Sequence, residues 1–306
     1  MAISSHRART ASWRIRPRAG WGKGLVLSAF GLLMASVPGS MISPAAAADA
    51  SAWDRGHASQ ARLIAGLPTQ DAHLAGLEIR LAEGYKTYWR HAGDSGLPPE
   101  IDWSESTNVA DLTLAFPVPG RFRDASGTFF GYDEAVTFPL HVTPQDPALP
   151  VDLQVTLSYG VCKDVCIPAF ATLSLALEPG REGAHAQHIA QAQAQVPEPV
   201  AFGDEHDGLS LHDHMVDADD VLHVRVKAPE NALLLAEGPD YLWFLDPAEN
   251  GVSDPQTGLT VFEVDIAETP REIREAARFT FTLVSGGRGI ESALTLDAAT
   301  LRRLAE

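Results

Sequence analysis

Alternating apolar and polar residues on both sides of one ten-residue stretch constrain the fold of this chain more than any other feature. Apolar side chains occupy every second position: Val151, Leu153, Val155, Leu157 and Tyr159 before or at the start of the stretch, and Leu173, Leu175 and Leu177 after it. A period of two is typical of strands with one buried face. The stretch itself, from Tyr159 to Pro168, holds both cysteines of the chain, Cys162 and Cys166. We therefore expect the cysteines in the connection between two strands, where a rigid sheet can hold a reactive loop.

The first 48 residues have the composition of a secretory signal peptide. They carry six basic residues and no acidic one, followed by an apolar run from Leu25 to Val37 and by three alanines that end at Ala48. The apolar run is shorter than the roughly 20 residues that a membrane-spanning helix needs. We expect cleavage near Ala48, no transmembrane segment in the mature chain, and a periplasmic location.

The charge of the remaining chain excludes one class of partner. Of the 23 Lys and Arg residues, six lie in the first 48 positions, which leaves 17 against 40 acidic residues and a net charge near −23. A surface of that sign repels the phosphates that dominate nucleic-acid binding. We therefore expect no nucleic-acid partner.

Short strands separated by Pro and Gly turns predict an all-β protein with antiparallel β-sandwiches. After residue 48 the chain is longer than one sandwich domain usually is, so we expect a redox domain over residues 49–178 and a second β domain over residues 200–306. Between them, residues 179–199 are rich in Ala and Gln and predict a linker or a short surface helix. The second domain contains no cysteine. Its folding should be independent, and any cysteine chemistry should belong to the first domain.

Three segments together resemble the amino-terminal periplasmic domain of the DsbD family of thiol:disulfide interchange proteins. They are Gly84–Arg90, the turn-rich Gly93–Pro99, and the cysteine stretch Tyr159–Pro168. The two-domain layout is similar to that of the related ScsB proteins, which are associated with copper tolerance. The resemblance implies an immunoglobulin-like sandwich whose cysteine pair passes electrons to periplasmic partners.

The resemblance also implies the surroundings of the cysteines. In the family a cap loop covers the disulfide, and here Thr128–Tyr132 is the similar segment, with Phe129 as the expected shield and Phe130 as the alternative. Tyr88 is similar to an active-site tyrosine of the family, whereas the family's other aromatic position is Lys86 here. We also expect Tyr159 among the residues that surround the two cysteines.

Partners follow from the same resemblance. The chain ends without the transmembrane and thioredoxin-like domains of the full-length family members, so we expect a separate membrane electron donor of the DsbD/CcdA type. The acceptors would be periplasmic thioredoxin-like redox proteins. The activity would be that of a thiol:disulfide oxidoreductase of the protein-disulfide reductase type.

The closeness of the cysteines favours exchange over a structural role. In the chain-entropy model, a five-residue ring stabilises the fold by only about 2 kcal/mol, against about 4.7 kcal/mol for a hundred-residue loop. Cys162 follows the strand that ends near Tyr159, whereas Pro168, which lacks an N–H, favours an unpaired backbone near Cys166. We therefore expect Cys166 to join partners in a mixed disulfide and Cys162 to resolve it.

One other class of function stays open, and we expect no cofactor and no metal site elsewhere. Thiolates are soft ligands that suit Cu(I), so the same two cysteines could carry copper in a copper-tolerance protein. The segment His212–Met215 has metal-ligand residue types, but we interpret it as a solvated acidic turn. Hydrolysis has no support, because no Gly-x-Ser-x-Gly motif is present.

Overall fold

A computed structural model describes residues 48–91, 96–124, 127–229, 231–240, 243–268, 270 and 272–305. The predicted signal peptide lies outside the described residues except for Ala48. These described residues form one compact unit. Within the described ranges, neither helix is long and apolar enough to cross a membrane.

The first part of the chain forms two antiparallel sheets, which we call the first sandwich. Its strands are β1 (Asp54–Arg55), β2 (Ser59–Pro68), β3 (His73–Leu81), β4 (Lys86–Tyr88), β5 (Glu100–Asp102), β6 (Val109–Leu114), β7 (Gly120–Asp124), β8 (Gly127–Asp133), β9 (Ala135–Pro144), β10 (Val151–Cys162) and β11 (Cys166–Leu177). One sheet has the order β1-β2-β3-β9-β6, and the other has the order β11-β10-β4-β8-β7 with β5 paired to β10.

The later part forms two more sheets, the second sandwich, preceded by helix α1 (Ala186–Gln193) and followed by helix α2 (Ala298–Leu304). Its strands are β12 (Glu198–Pro199), β13 (Ser210–Val216), β14 (Leu222–Lys227), β15 (Leu233–Glu237), β16 (Phe244–Pro247), β17 (Val252–Ser253), β18 (Thr260–Glu268), β19 (Ala277–Ser285) and β20 (Arg288–Leu296). One sheet has the order β12-β20-β19-β15, and the other has the order β13-β14-β18-β16 with β17 paired to β18. The all-β prediction is confirmed.

The alternation around the cysteines has the expected structural meaning. The alternating apolar residues, Val151 to Tyr159 in β10 and Leu173 to Leu177 in β11, are buried in the core of the first sandwich, and the residues between them face outward. The two strands pair antiparallel over their whole length, from Val151 opposite Leu177 to Cys162 opposite Cys166. Because side chains alternate between faces, this one register decides which residues enter the core.

Helix α1 lies where a linker or short surface helix was expected, but it is packed rather than free. Ala186, Ile189 and Ala192 are buried on one face. Ile189 packs against Gly66 and Gly76, where an added Cβ would come within 2.8 and 3.1 Å of its side chain, respectively. The sequence pattern showed hardly any apolar face because two glycines on the neighbouring strands let a single large side chain make the contact.

The two sandwiches share part of their packing. Leu235 of β15 and Val284 of β19 belong to the hydrophobic core of the first sandwich. Just after β4, Arg90 bonds Glu237 and Glu291 of the second sandwich, each at 2.7 Å, and its guanidinium lies 4.4 Å from the Trp89 ring centroid. Independent folding of residues 200–306 stays a prediction, and separating the two sandwiches would expose apolar surface and unpair three charges.

We predict that the ion pairs of Arg90 contribute to stability. Arg90→Leu leaves two carboxylates facing each other without a cation, and it should cost about 2–3 kcal/mol, less than a fully buried pair because the groups are partly exposed. Arg288→Leu, which breaks an exposed pair with Asp207, should cost under about 1 kcal/mol. Urea unfolding followed by tryptophan fluorescence measures both. Equal losses of unfolding free energy in the two variants would contradict the stabilising role of the Arg90 ion pairs.

Candidate functional site

The two cysteines form a disulfide at the end of a β-hairpin. Strands β10 and β11 are joined by the turn residues 163–165, in which the Lys163 N–H points to the Val165 carbonyl oxygen at 3.4 Å. Cys162 and Cys166 are cross-strand partners with their Cα atoms 4.1 Å apart, and their sulfur atoms are bonded. The hairpin thus brings together two cysteines that three residues separate.

The two sulfur-bearing residues differ in access to solvent. Cys162 is 3% exposed, whereas Cys166 and the residues beside it are exposed. Contrary to the expectation from Pro168, the backbone after Cys166 is part of the ladder, because Pro168 pairs with Gly160. Proline is tolerated there because β11 is the edge strand of its sheet. Greater access at Cys166 therefore comes from its edge position and not from an unpaired loop.

Tyr88 contacts both sulfur atoms. Its hydroxyl oxygen lies 2.6 Å from Cys166 Sγ and 2.9 Å from Cys162 Sγ. Since disulfide sulfurs carry no proton, the hydroxyl is the donor to them. The Tyr88 ring is buried against Gly160 of β10, where a Cβ would come within 2.8 Å of a ring carbon. Glycine at position 160 therefore makes room for the ring that reaches the disulfide.

An aromatic pair covers the buried sulfur. Phe129 of β8 is 5% exposed and packs with Tyr88 and Cys162 in a small cluster apart from the main core. Its ring centroid is 5.5 Å from that of Tyr88 and 5.4 Å from that of Phe122, on which it stacks. Phe122 lies opposite Phe129 in the β7–β8 hairpin. Sequence reasoning missed Phe122, although its alternation with Arg121 and Arg123 beside the cap-like segment was a usable signal.

Two of the residues that the sequence placed near the disulfide lie in the core of the first sandwich instead. Phe130 is buried there, since neighbouring residues of a strand face opposite sides. Tyr159 is also in this core, and its hydroxyl is 2.8 Å from Ser59 Oγ. Burial raises the pKa of the Tyr159 hydroxyl. Neither residue joins the cluster around Cys162, and both pack between the two sheets.

The metal-like segment of the second sandwich is a strand. His212–Met215 lies within β13, which pairs with β14, so the interpretation as a turn is wrong. Leu211 anchors the strand in the core, because its side chain is fully buried. Asp213 is paired with Arg225 of the neighbouring strand β14 at 2.5 Å. In the part of the chain that the structure describes, no group of three or more His, Cys, Asp or Glu residues is placed to hold a metal ion.

A β-sandwich that holds a disulfide at a hairpin end, with one exposed cysteine and one beneath aromatic rings, has the arrangement that thiol–disulfide exchange requires. Comparison with known families agrees. Residues 57–178 match the family described as "Thiol:disulfide interchange protein DsbD, N-terminal". These residues form a domain of the DsbD N-terminal family, whose fold is an immunoglobulin-like β-sandwich.

Solved structures extend the comparison to both sandwiches. The N-terminal periplasmic domain of ScsB from Proteus mirabilis is similar over 82% of this chain and 99% of that chain, with a TM-score of 0.62 and 22% sequence identity. At this identity the similarity shows the fold. Two endo-fucoidan hydrolases of glycoside hydrolase family 107 also match, at 13% and 12% identity over 72% and 69% of this chain and 29% and 34% of theirs, but their TM-scores of 0.20 carry no argument. No curated protein sequence matches this chain.

We predict that Phe129 limits access to the disulfide. Phe129→Ala should make the oxidised protein react several-fold faster with a small thiol, because removing the ring opens a path to the sulfurs. The rate is measured by following reduction with excess dithiothreitol. Phe130→Leu is the control, since it changes a neighbouring core residue and should leave the rate unchanged. Equal rates for wild type and Phe129→Ala would contradict the assignment.

Proposed function

We propose that this chain is a periplasmic thiol:disulfide interchange protein that passes electrons between a membrane-bound donor and periplasmic partners. The observation that carries the proposal is the asymmetry of the Cys162–Cys166 pair. One cysteine is exposed at a sheet edge, and the other is buried against Phe129. A structural disulfide needs no such asymmetry, whereas exchange needs one sulfur that a partner can reach.

Reduction of the pair follows from this asymmetry. A thiolate of the donor attacks Cys166 Sγ, the Cys162–Cys166 bond breaks, and a mixed disulfide joins the donor to Cys166. Cys162 leaves as a thiolate, which takes up a proton from solvent. The second thiolate of the donor then attacks the donor's own sulfur in the mixed disulfide and releases Cys166. Two electrons and two protons reach this protein, and the donor leaves as a disulfide.

Transfer to a client reverses the direction. The Cys166 thiolate attacks the client's disulfide, so that Cys166 becomes joined to one client sulfur and the other client sulfur leaves as a thiolate. Cys162 then attacks Cys166 Sγ, re-forms the intramolecular disulfide and releases the client fully reduced. Cys162 acts as the resolving cysteine because it is Cys166's cross-strand partner and therefore always within reach.

Tyr88 has a distinct part in both directions. Its hydroxyl is within hydrogen-bond distance of both sulfurs, so it can donate to whichever one carries the developing negative charge. Hydrogen bonds to a charged acceptor are stronger than those to a neutral one. The hydroxyl therefore favours the thiolate over the disulfide sulfur and assists the departure of Cys162.

The cellular setting of the proposal comes from the sequence and the family. We propose that residues 1–48 are a cleaved signal peptide, that the clients are thioredoxin-like proteins, and that the donor is a separate membrane protein of the DsbD/CcdA type. The related ScsB domain is described as periplasmic. Cu(I) carriage by the same two thiolates is the alternative, and tight retention of Cu(I) by the reduced protein against a competing chelator would favour it.

Trapping tests the roles of the two cysteines. Cys162→Ser leaves the accessible sulfur without its resolving partner, so a disulfide-linked complex with a redox partner should accumulate. Cys166→Ser is the matched control and should accumulate little or none, because the remaining sulfur is buried. Non-reducing gels of periplasmic extracts measure both variants. The opposite pattern, or no complex from either variant, would contradict the proposal.

A further inference from the structure

Lysine is rare in this chain and is concentrated at the disulfide. After residue 48 only Lys86, Lys163 and Lys227 occur. Lys86 of β4 is the Cα partner of Cys162 in the sheet, and Lys163 follows Cys162 in the hairpin turn. Two of the three lysines after residue 48 are therefore direct neighbours of Cys162.

These two amines are not used in ion pairs within the described residues. Neither Lys86 Nζ nor Lys163 Nζ is within 4.0 Å of a described carboxylate, although Asp133 pairs with Lys86 in the sheet and Asp164 follows Lys163. Each amine instead lies over an aromatic ring, 5.4 Å from the Phe122 centroid for Lys86 and 5.5 Å from the Tyr85 centroid for Lys163.

The third lysine behaves differently. Lys227, at the end of β14 in the second sandwich, is paired with Glu205 at 2.6 Å. It is therefore a natural internal control for the other two. Among the described residues, the two amines at the disulfide thus differ from Lys227, because neither of them is held by a carboxylate.

Exposed apolar side chains complete the same surface. Val165 in the hairpin turn is 71% exposed, and Phe170 of β11 is 68% exposed. Phe170 lies on the same face of β11 as Cys166, because the two are four residues apart on one strand. Large exposed apolar groups close together are typical of protein-binding surfaces.

We propose that Lys86 and Lys163 form a cationic rim around the disulfide that selects exchange partners with acidic groups beside their reactive sulfur. This inference rests on the proposed exchange function and adds the charge of the partner. Charges farther than about 8–10 Å from the contact are screened at physiological ionic strength, so the charges close to the disulfide, these two amines among them, act most strongly on a partner. Complementary charge mainly raises the rate of encounter and suppresses wrong partners.

Charged small disulfides of matched shape test the inference. The reduced protein is mixed with dithiodipropionate, which carries two negative charges, or with cystamine, which carries two positive charges, and oxidation of the cysteine pair is followed. Lys86→Gln with Lys163→Gln should slow the reaction with dithiodipropionate and speed that with cystamine, by about three-fold each at low salt, because removing one unit charge about 6 Å from another in water changes a rate by about this factor. The change should shrink in 0.5 M salt, where the screening length falls to about 4 Å.

Two further variants make the result specific. Lys227→Gln removes the same charge far from the cysteines and should leave both rates unchanged. Lys163→Glu, in the exposed turn where folding is not at stake, should shift the preference further toward cystamine. If the wild type reacts with both probes and the lysine variants keep its ratio of dithiodipropionate rate to cystamine rate, the cationic rim is contradicted. The proposed exchange function is not affected by that result. If the wild type reacts with neither probe, the exchange function is contradicted as well.

Discussion

The pairing register of β10 and β11 is the constraint on which the rest of this structure depends. A shift of one residue would turn the six buried core side chains of β10, from Val151 to Val161, to solvent and would separate Cys162 from Cys166. Burial of such side chains stabilises the fold by roughly 1.5–3 kcal/mol each. Together they contribute far more than the ring closed by the disulfide, which contributes about 2 kcal/mol. The sheet therefore holds the cysteines together, and the fold does not depend on the bond between them.

The site is assembled from elements distant in the sequence. Tyr88 comes from β4, Phe122 and Phe129 come from the β7–β8 hairpin, and Gly160 leaves the space that the tyrosine ring fills. Two residues after Tyr88, Arg90 bonds two glutamates of the second sandwich. The second sandwich thus packs against the segment that presents the hydroxyl to the sulfurs, although it contributes no cysteine of its own.

The sequence predicted the elements that local pattern determines. The strands around the cysteines and the all-β class followed from alternation, and Phe129 followed from the resemblance. Tyr159 shares a face with Leu157 and not with Cys162, as strict alternation requires, so the placement of Tyr159 beside the disulfide went against the pattern of its own strand. The burial of Ile189 and the ion pairs of Arg90 could not be predicted, because each depends on which elements become neighbours in space.

The central claim is that the Cys162–Cys166 bond is exchanged and does not merely hold the hairpin. The reduction potential of the pair tests it most directly. The protein is equilibrated in glutathione redox buffers, and the reduced fraction is quantified after alkylation. We predict a potential between about −180 and −270 mV, in the range of proteins that exchange disulfides. A value well below about −300 mV would mark an inert structural bond and would contradict the account.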